Sequence, residues 1–181
     1  MVGNFRIILL RGCESMVHAK DVISDQLLAN ANDPSWYVPF SDSVESLSEE
    51  QAFWKPNEES NSIAEIVQHL LYWNQTWQTR YQESHVNAVP SIGSNNNSFI
   101  IPEKDTFTDL KTRLLKVLLK WQDLLTEERV ESDVNGFPEQ VKWWGVLGNV
   151  STHNAYHIGQ IIYIRKLQNS WKLANGEEDN K

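Results

Sequence analysis

His153 and His157 stand four residues apart in a stretch, 149–166, that contains no proline. On an α-helix that spacing stacks two imidazoles on one face, within reach of a single metal ion. Val146, Val150, Gln160 and Ile164 share the face, so both rings are expected in the middle of a buried stripe. Neutral imidazoles are costly there unless their nitrogens find partners. Carboxylates, backbone carbonyls or water would satisfy one ring, but two adjacent rings compete for the same few groups, whereas one divalent ion serves both. His69, on a separate helical segment, is the candidate third ligand. Three histidines leave a coordination position open for water or substrate, as catalytic rather than structural sites do. The expected cofactor is one divalent metal ion, zinc or nickel ahead of manganese or iron, since imidazole does not choose sharply among them. His18 has no clear place on a stripe and His85 opens a loop, so neither is expected among the ligands.

Helices must hold these side chains, and the periodicity supplies four long ones. Over 16–30, Met16, Ala19, Ile23 and Leu27 recur at three and four residues, with Lys20, Asp21 and Asp25 among the polar positions. The segment 30–39 has the Asn, Asp and Pro of a loop, and its Trp36 and Tyr37 are expected to plug a bundle end. Ser48-Glu-Glu-Gln51 reads as the cap of a short helix bounded by Pro56. Ser62-Ile-Ala-Glu65 is a capping box that opens the second long helix. Ile66, Leu70, Trp73 and Trp77 form its stripe, with His69 one step to the side, leaning inward without being central. The segment 84–102, with Gly93 and the run Asn95-Asn-Asn97, has no period and predicts a long, mobile connection. The third helix, 105–128, places Phe107, Leu114 and Trp121, and likewise Leu110, Val117 and Leu124, seven apart, as a buried seam requires. Asn135-Gly136 marks a turn within 131–138, and the fourth helix runs from 141 or 144 to 168. No sustained two-residue alternation and no internal repeat appears. The expected fold is all-α, a four-helix bundle over 16–168 with a long connection between the second and third long helices. Residues 1–15 are expected to be a poorly ordered extension and 169–181 a polar tail.

The 181 residues, 40% of them apolar, suffice for one good core and are few for two. Sixteen Lys and Arg against 24 Asp and Glu give a net charge of −8 with no basic stripe, which argues against nucleic acid and anionic membranes. The apolar run 7–10 is far below the roughly 18 residues of a spanning helix and below the 7 to 15 of a signal-peptide core. With Cys13 the single cysteine, no internal disulfide forms, and a reducing, cytoplasmic location is expected. Eight tryptophans exceed what a small core needs, and some are expected at a pocket rim or at the interface of a homodimer.

Ser62-Ile-Ala-Glu-Ile-Val-Gln-His69-Leu followed by His153-Asn-Ala-Tyr-His157-Ile-Gly-Gln160 resembles the DinB / YfiT-like superfamily of metal-dependent enzymes over about 16–168. The resemblance implies a four-helix bundle whose metal ligands map onto His69, His153 and His157. Where the family often continues Arg-Gly-Gln after the last histidine, Ile158 replaces the arginine and Gly159 and Gln160 match. It also implies an enzyme acting on a small-molecule substrate, first of all an S-transferase joining a low-molecular-weight thiol of the bacillithiol type to an electrophile. A bound metal would lower the pKa of that thiol. Hydrolysis is the alternative within enzymes, with Glu65 as candidate base although its cap role competes. Tyr72, Tyr156 and Gln160 are candidate substrate or ligand-supporting contacts. A non-catalytic metal-binding stress-response module is the alternative from another class.

Overall fold

A computed structural model describes residues 17–171 of the chain. The expected extension 1–15 with Cys13, Met16, and the tail beyond 171 lie outside them. Four long helices form a bundle: α1 (Ala19–Ala31), α4 (Ile63–Glu83), α5 (Phe107–Leu124) and α7 (Trp143–Leu167). Three short ones lie in the connections, α2 (Phe40–Ser43), α3 (Glu49–Phe53) and α6 (Glu127–Val130). Among the described residues there is no strand, only isolated bridges pairing His85 with Asn135 and Asp133 with Lys142. No helix among them is long and apolar enough to cross a membrane.

Local chemistry explains where the helices start. Ser48 and Ser62 accept from the amides of Gln51 and Glu65, whose side chains accept in return from the backbone at the cap, and Thr106 with Asp109 repeats the device at α5. The third helix is shorter than expected, since Thr126 caps α6 and ends α5 at Leu124. Its buried positions are Phe107, Leu110, Leu114, Leu118 and Trp121, followed by Leu125. Leu118 and Leu125 thus replace Val117 and Leu124 of the expected seam, because a straight helix drifts from a seven-residue repeat by about 20° per heptad. Trp36 also departs from expectation: it is 59% exposed and donates from Nε1 to Asp25 instead of plugging the bundle.

In cross-section α4 packs against α5 and α7, and α1 packs against the same two helices, so α1 lies diagonally opposite α4. This arrangement sets α4 and α7 side by side, although they are the second and fourth long helices in sequence. The apolar core falls into two clusters. One holds Ile66, Leu70, Leu114 and Ile161, the other Leu27, Trp121, Trp143 and Leu147. Between them a buried polar layer crosses the bundle, built from Asn30 of α1, Asn74 of α4, and Ser151 and Asn154 of α7. Asn30 donates to Ser151 (2.9 Å), while Asn74 and Asn154 exchange both amide bonds at 2.8 and 3.2 Å. The histidines sit beside this layer.

The turn at Asn135-Gly136 is an anchor. Gly136 has φ +93°, and a Cβ there would lie 2.7 Å from His85 Cε1 and 2.9 Å from Val86 Cγ2. Gly136→Ala is expected to cost about 1–3 kcal/mol from the left-handed backbone and the close contact together. A melting temperature lowered by several degrees would show it, and an unchanged one would rule it out.

Candidate metal centre

α4 contributes His69 and α7 contributes His153 and His157, and one ligand nitrogen from each lies within 4.8 Å of the other two. His69 is 2% exposed, so it belongs to the centre of the buried face and not to its side as expected. Its ring stacks on Phe99 with centroids 4.0 Å apart, and its Nε2 lies 3.0 Å from His153 Nε2. The pair on α7 shows the opposite departure. Leu147, Asn154 and Ile161 occupy the middle of that helix's buried face, leaving His157 at 7% exposure and His153 half-buried on its flank. The two rings therefore border an opening instead of filling a core.

Hydrogen bonds behind the rings set their tautomers. Ser98 donates its single hydroxyl proton to the Asn95 carbonyl (2.5 Å), so its Oγ accepts from His69 Nδ1–H at 2.6 Å. Gln160 Oε1 likewise accepts from His157 Nδ1–H at 2.7 Å, while Gln160 Nε2 donates to the Tyr156 hydroxyl at 3.1 Å. His69 and His157 thus turn unprotonated Nε2 atoms toward the shared space. The contact between His69 Nε2 and His153 Nε2 is then a hydrogen bond only if His153 carries the proton there. That proton is the one a cation would replace.

Burial holds all three imidazoles below their ordinary pKa. His69 is lowered to about 3 by desolvation and by repulsion from His157 and His153, and His153 to about 4 by desolvation and by His157. His157 is lowered by desolvation, against which its bond to Gln160 acts. At neutral pH the rings are therefore neutral, the state a metal requires. The consequence for stability has a definite sign. Below about pH 6.5 the unfolded chain takes up protons that the folded chain refuses, so folding weakens as pH falls toward 3 to 4. Each differing proton contributes a slope of up to about 1.4 kcal/mol per pH unit. Chelator-treated protein is expected to melt progressively lower from pH 6.5 to 4.5, less steeply in His69→Gln; parallel profiles would contradict the assignment.

The donor set, three neutral nitrogens with two of them held from behind, fits a divalent metal such as zinc, nickel or iron. Nitrogens held at about 2.0–2.3 Å by one tetrahedral ion lie about 3.3–3.8 Å from one another, so the spread of up to 4.8 Å found here would contract by about 1–1.5 Å at most. The rings open on a cavity of about 660 Å³ between α4 and α7. The segment 84–102, expected to be mobile, forms part of its wall. A 3-10 turn, Asn95–Phe99, packs on α4, with Ser94 capping it and Ser98 buried. Ser98, Asn95 and Phe99 were not legible as site residues, because a Ser- and Asn-rich run without a period reads equally as loop or as capped turn.

The remaining candidates separate clearly. Gln160 supports His157 directly, and Tyr156 both lines the cavity and bonds to Gln160. Glu65 is away from the cavity: Oε2 accepts from the Ser62 amide and Oε1 from Lys55, each at 2.7 Å, and its pKa is lowered. Tyr72 packs edge-on against Trp73, outside the cavity lining. His18 pairs with Glu127 and His85 accepts from the Asn87 amide, both apart from the cluster as expected.

Comparison with known proteins agrees with this architecture. Residues 40–161 match the family described as the DinB superfamily, and the chain belongs to it. No curated protein matches the chain. Among solved structures, the DinB-like protein YjoA from Bacillus subtilis superposes with a TM-score of 0.65 at 17% identity, over 85% of this chain and 96% of its own. YfiT from Bacillus subtilis, described as a probable metal-dependent hydrolase with an unusual four-helix bundle topology, gives 0.58 at 14% identity, over 90% of this chain and 94% of its own.

Proposed function

We propose that His69, His153 and His157 hold one divalent metal ion, and that the protein is a metal-dependent enzyme transferring a low-molecular-weight thiol to an electrophilic small molecule. One observation carries this reading: three neutral imidazoles, two with their tautomers set by Ser98 and Gln160, converge on a cavity lined by no carboxylate among the described residues. When bound, the ion would supply Lewis acidity and lower the pKa of a thiol or water beside it. The side chains contribute position and a largely apolar wall. Ser98 and Gln160 keep the Nε2 lone pairs of His69 and His157 aimed inward, and the aromatic lining offers water few partners.

Hydrolysis is the second reading, favoured by the description of YfiT. A hydrolase gains from a general base next to the attacking water. Among the described residues no Asp or Glu lines the cavity, and both Glu65 oxygens are engaged in the helix cap and the ion pair with Lys55. Thiol transfer is the less demanding chemistry for this lining, since a thiol needs a smaller pKa shift than water to ionise.

The deciding experiment loads the full chain with zinc or nickel and follows loss of an aryl halide or an epoxide against a panel of small thiols. Thiol-dependent turnover that vanishes in His153→Ala, with helicity retained, is the expected result. Cleavage of esters or amides without thiol would instead establish the hydrolase, and stoichiometric metal with no turnover would establish a non-catalytic module. The proposed partner is a small molecule; a homodimer would be a separate finding, read by sedimentation.

A further inference from the structure

The chemistry of the cavity narrows the class of molecule it takes. Rings form most of its wall: Trp73 and Trp77 from α4, Phe99 from the 3-10 turn, Phe137 from the connection after α6, and Tyr156 from α7. Apart from the imidazoles, the Tyr156 hydroxyl and the indole N–H groups of Trp73 and Trp77, its polar side chains are Asn74, Asn95 and Asn149, and among the described residues no Lys, Arg, Asp or Glu takes part. Asn74 is already spent, bonded to Leu70, Asn154 and Trp121. Asn95 Oδ1 accepts from Trp73 Nε1, which steadies that indole against the cavity. Away from the histidine end, a charged group carried in among these rings would lose its hydration and meet no opposite charge from the lining, a cost of several kcal/mol. The net charge of −8 adds long-range repulsion of anions. A flat, neutral π-system meets the opposite conditions, since it stacks on rings and loses little hydration.

At the histidine end two side chains at the open edge keep donors to spare, the Asn149 amide and the phenol of Tyr156, a residue 64% exposed. The Tyr156 hydroxyl accepts from Gln160 Nε2, and Gln160 Oε1 is occupied by His157 Nδ1–H, so the phenolic proton has no partner among the described residues. We propose that the cavity binds an uncharged aromatic molecule carrying one hydrogen-bond acceptor, and that Tyr156 selects it by donating to that acceptor. Calling this molecule the electrophile rests on the transfer reading above; its binding does not.

Calorimetric titration of the full chain, with and without zinc, tests both parts. 2-Acetylnaphthalene is the acceptor-bearing probe, 2-ethylnaphthalene lacks the acceptor, and 6-acetylnaphthalene-2-sulfonate adds a charge at the far end. Saturable binding of the first, at least tenfold tighter than the sulfonate, is expected. Tyr156→Phe should weaken 2-acetylnaphthalene about fivefold, the scale of one neutral hydrogen bond, and leave 2-ethylnaphthalene unchanged. Equal or tighter binding of the sulfonate, or no saturable binding of 2-acetylnaphthalene, would overturn the ligand class. An equal loss for both neutral probes in Tyr156→Phe would overturn the donor role. Should the selectivity hold while no thiol supports turnover, the transfer reading fails and this one stands.

Discussion

His153→Ala is expected to weaken divalent-metal binding by more than about 100-fold while the bundle stays folded. Losing a group that merely supports a ligand typically costs 10- to 100-fold, and His153 is a proposed ligand itself. It is also the histidine whose removal confuses folding least. His69 is 2% exposed and stacked on Phe99, so its truncation would leave a hole in packed structure. His153 is half-buried, and among the described residues its one side-chain polar contact is the 3.0 Å approach to His69 Nε2. Competition with a zinc-sensitive dye would give the affinity, and circular dichroism the fold. Ser98→Ala and Gln160→Ala should fall between wild type and His153→Ala, since each frees the Nδ1–H of one imidazole. If all three variants bind zinc within threefold of wild type, the ion is held elsewhere.

The second large effect lies in the polar layer. Asn74→Leu is expected to cost about 3 kcal/mol and to lower the melting temperature by roughly 10 °C. Asn74 donates to the Leu70 carbonyl and to Asn154 Oδ1, and it accepts from Asn154 Nδ2 and Trp121 Nε1. Leucine has the same branched arrangement of four side-chain heavy atoms and is bulkier, so the loss would not come from an empty space. It would come from Asn154 and Trp121 Nε1, both buried, being left without partners in a low-dielectric interior. Asn74→Leu together with Asn154→Leu should recover part of the loss, because the apolar clusters above and below would then join. A double variant no better than the single one would show that the layer is held by geometry other than this exchange.

The tryptophans illustrate how far composition reaches. Their number suggested a pocket rim or an interface, and two of the uses are now specific: Trp73 and Trp77 line the cavity. Trp121 and Trp143 are wholly buried in the core, while Trp36 and Trp144 remain exposed at 59% and 48%. Composition carries the excess but not its distribution, since burial depends on which helix faces which.

What the chain determines by itself is local. The capping boxes at Ser48 and Ser62, the turn at Gly136 and the four-residue spacing of His153 and His157 each arise from groups within a few residues of one another, and each stands where the sequence places it. Helical periodicity likewise predicts four long helices, though the packed face of α5 follows the true 3.6-residue repeat and not the heptad. Tertiary structure alone decides the rest. Seating α1 diagonally opposite α4 makes α4 and α7 neighbours, and only then does His69 Nε2 come within 3.0 Å of His153 Nε2. Folding the run after α4 back onto that helix turns an aperiodic loop into the wall that orients His69 through Ser98. Such contacts join residues far apart in the chain, and the energy that selects them is packing of whole helix faces, which no local window of sequence contains.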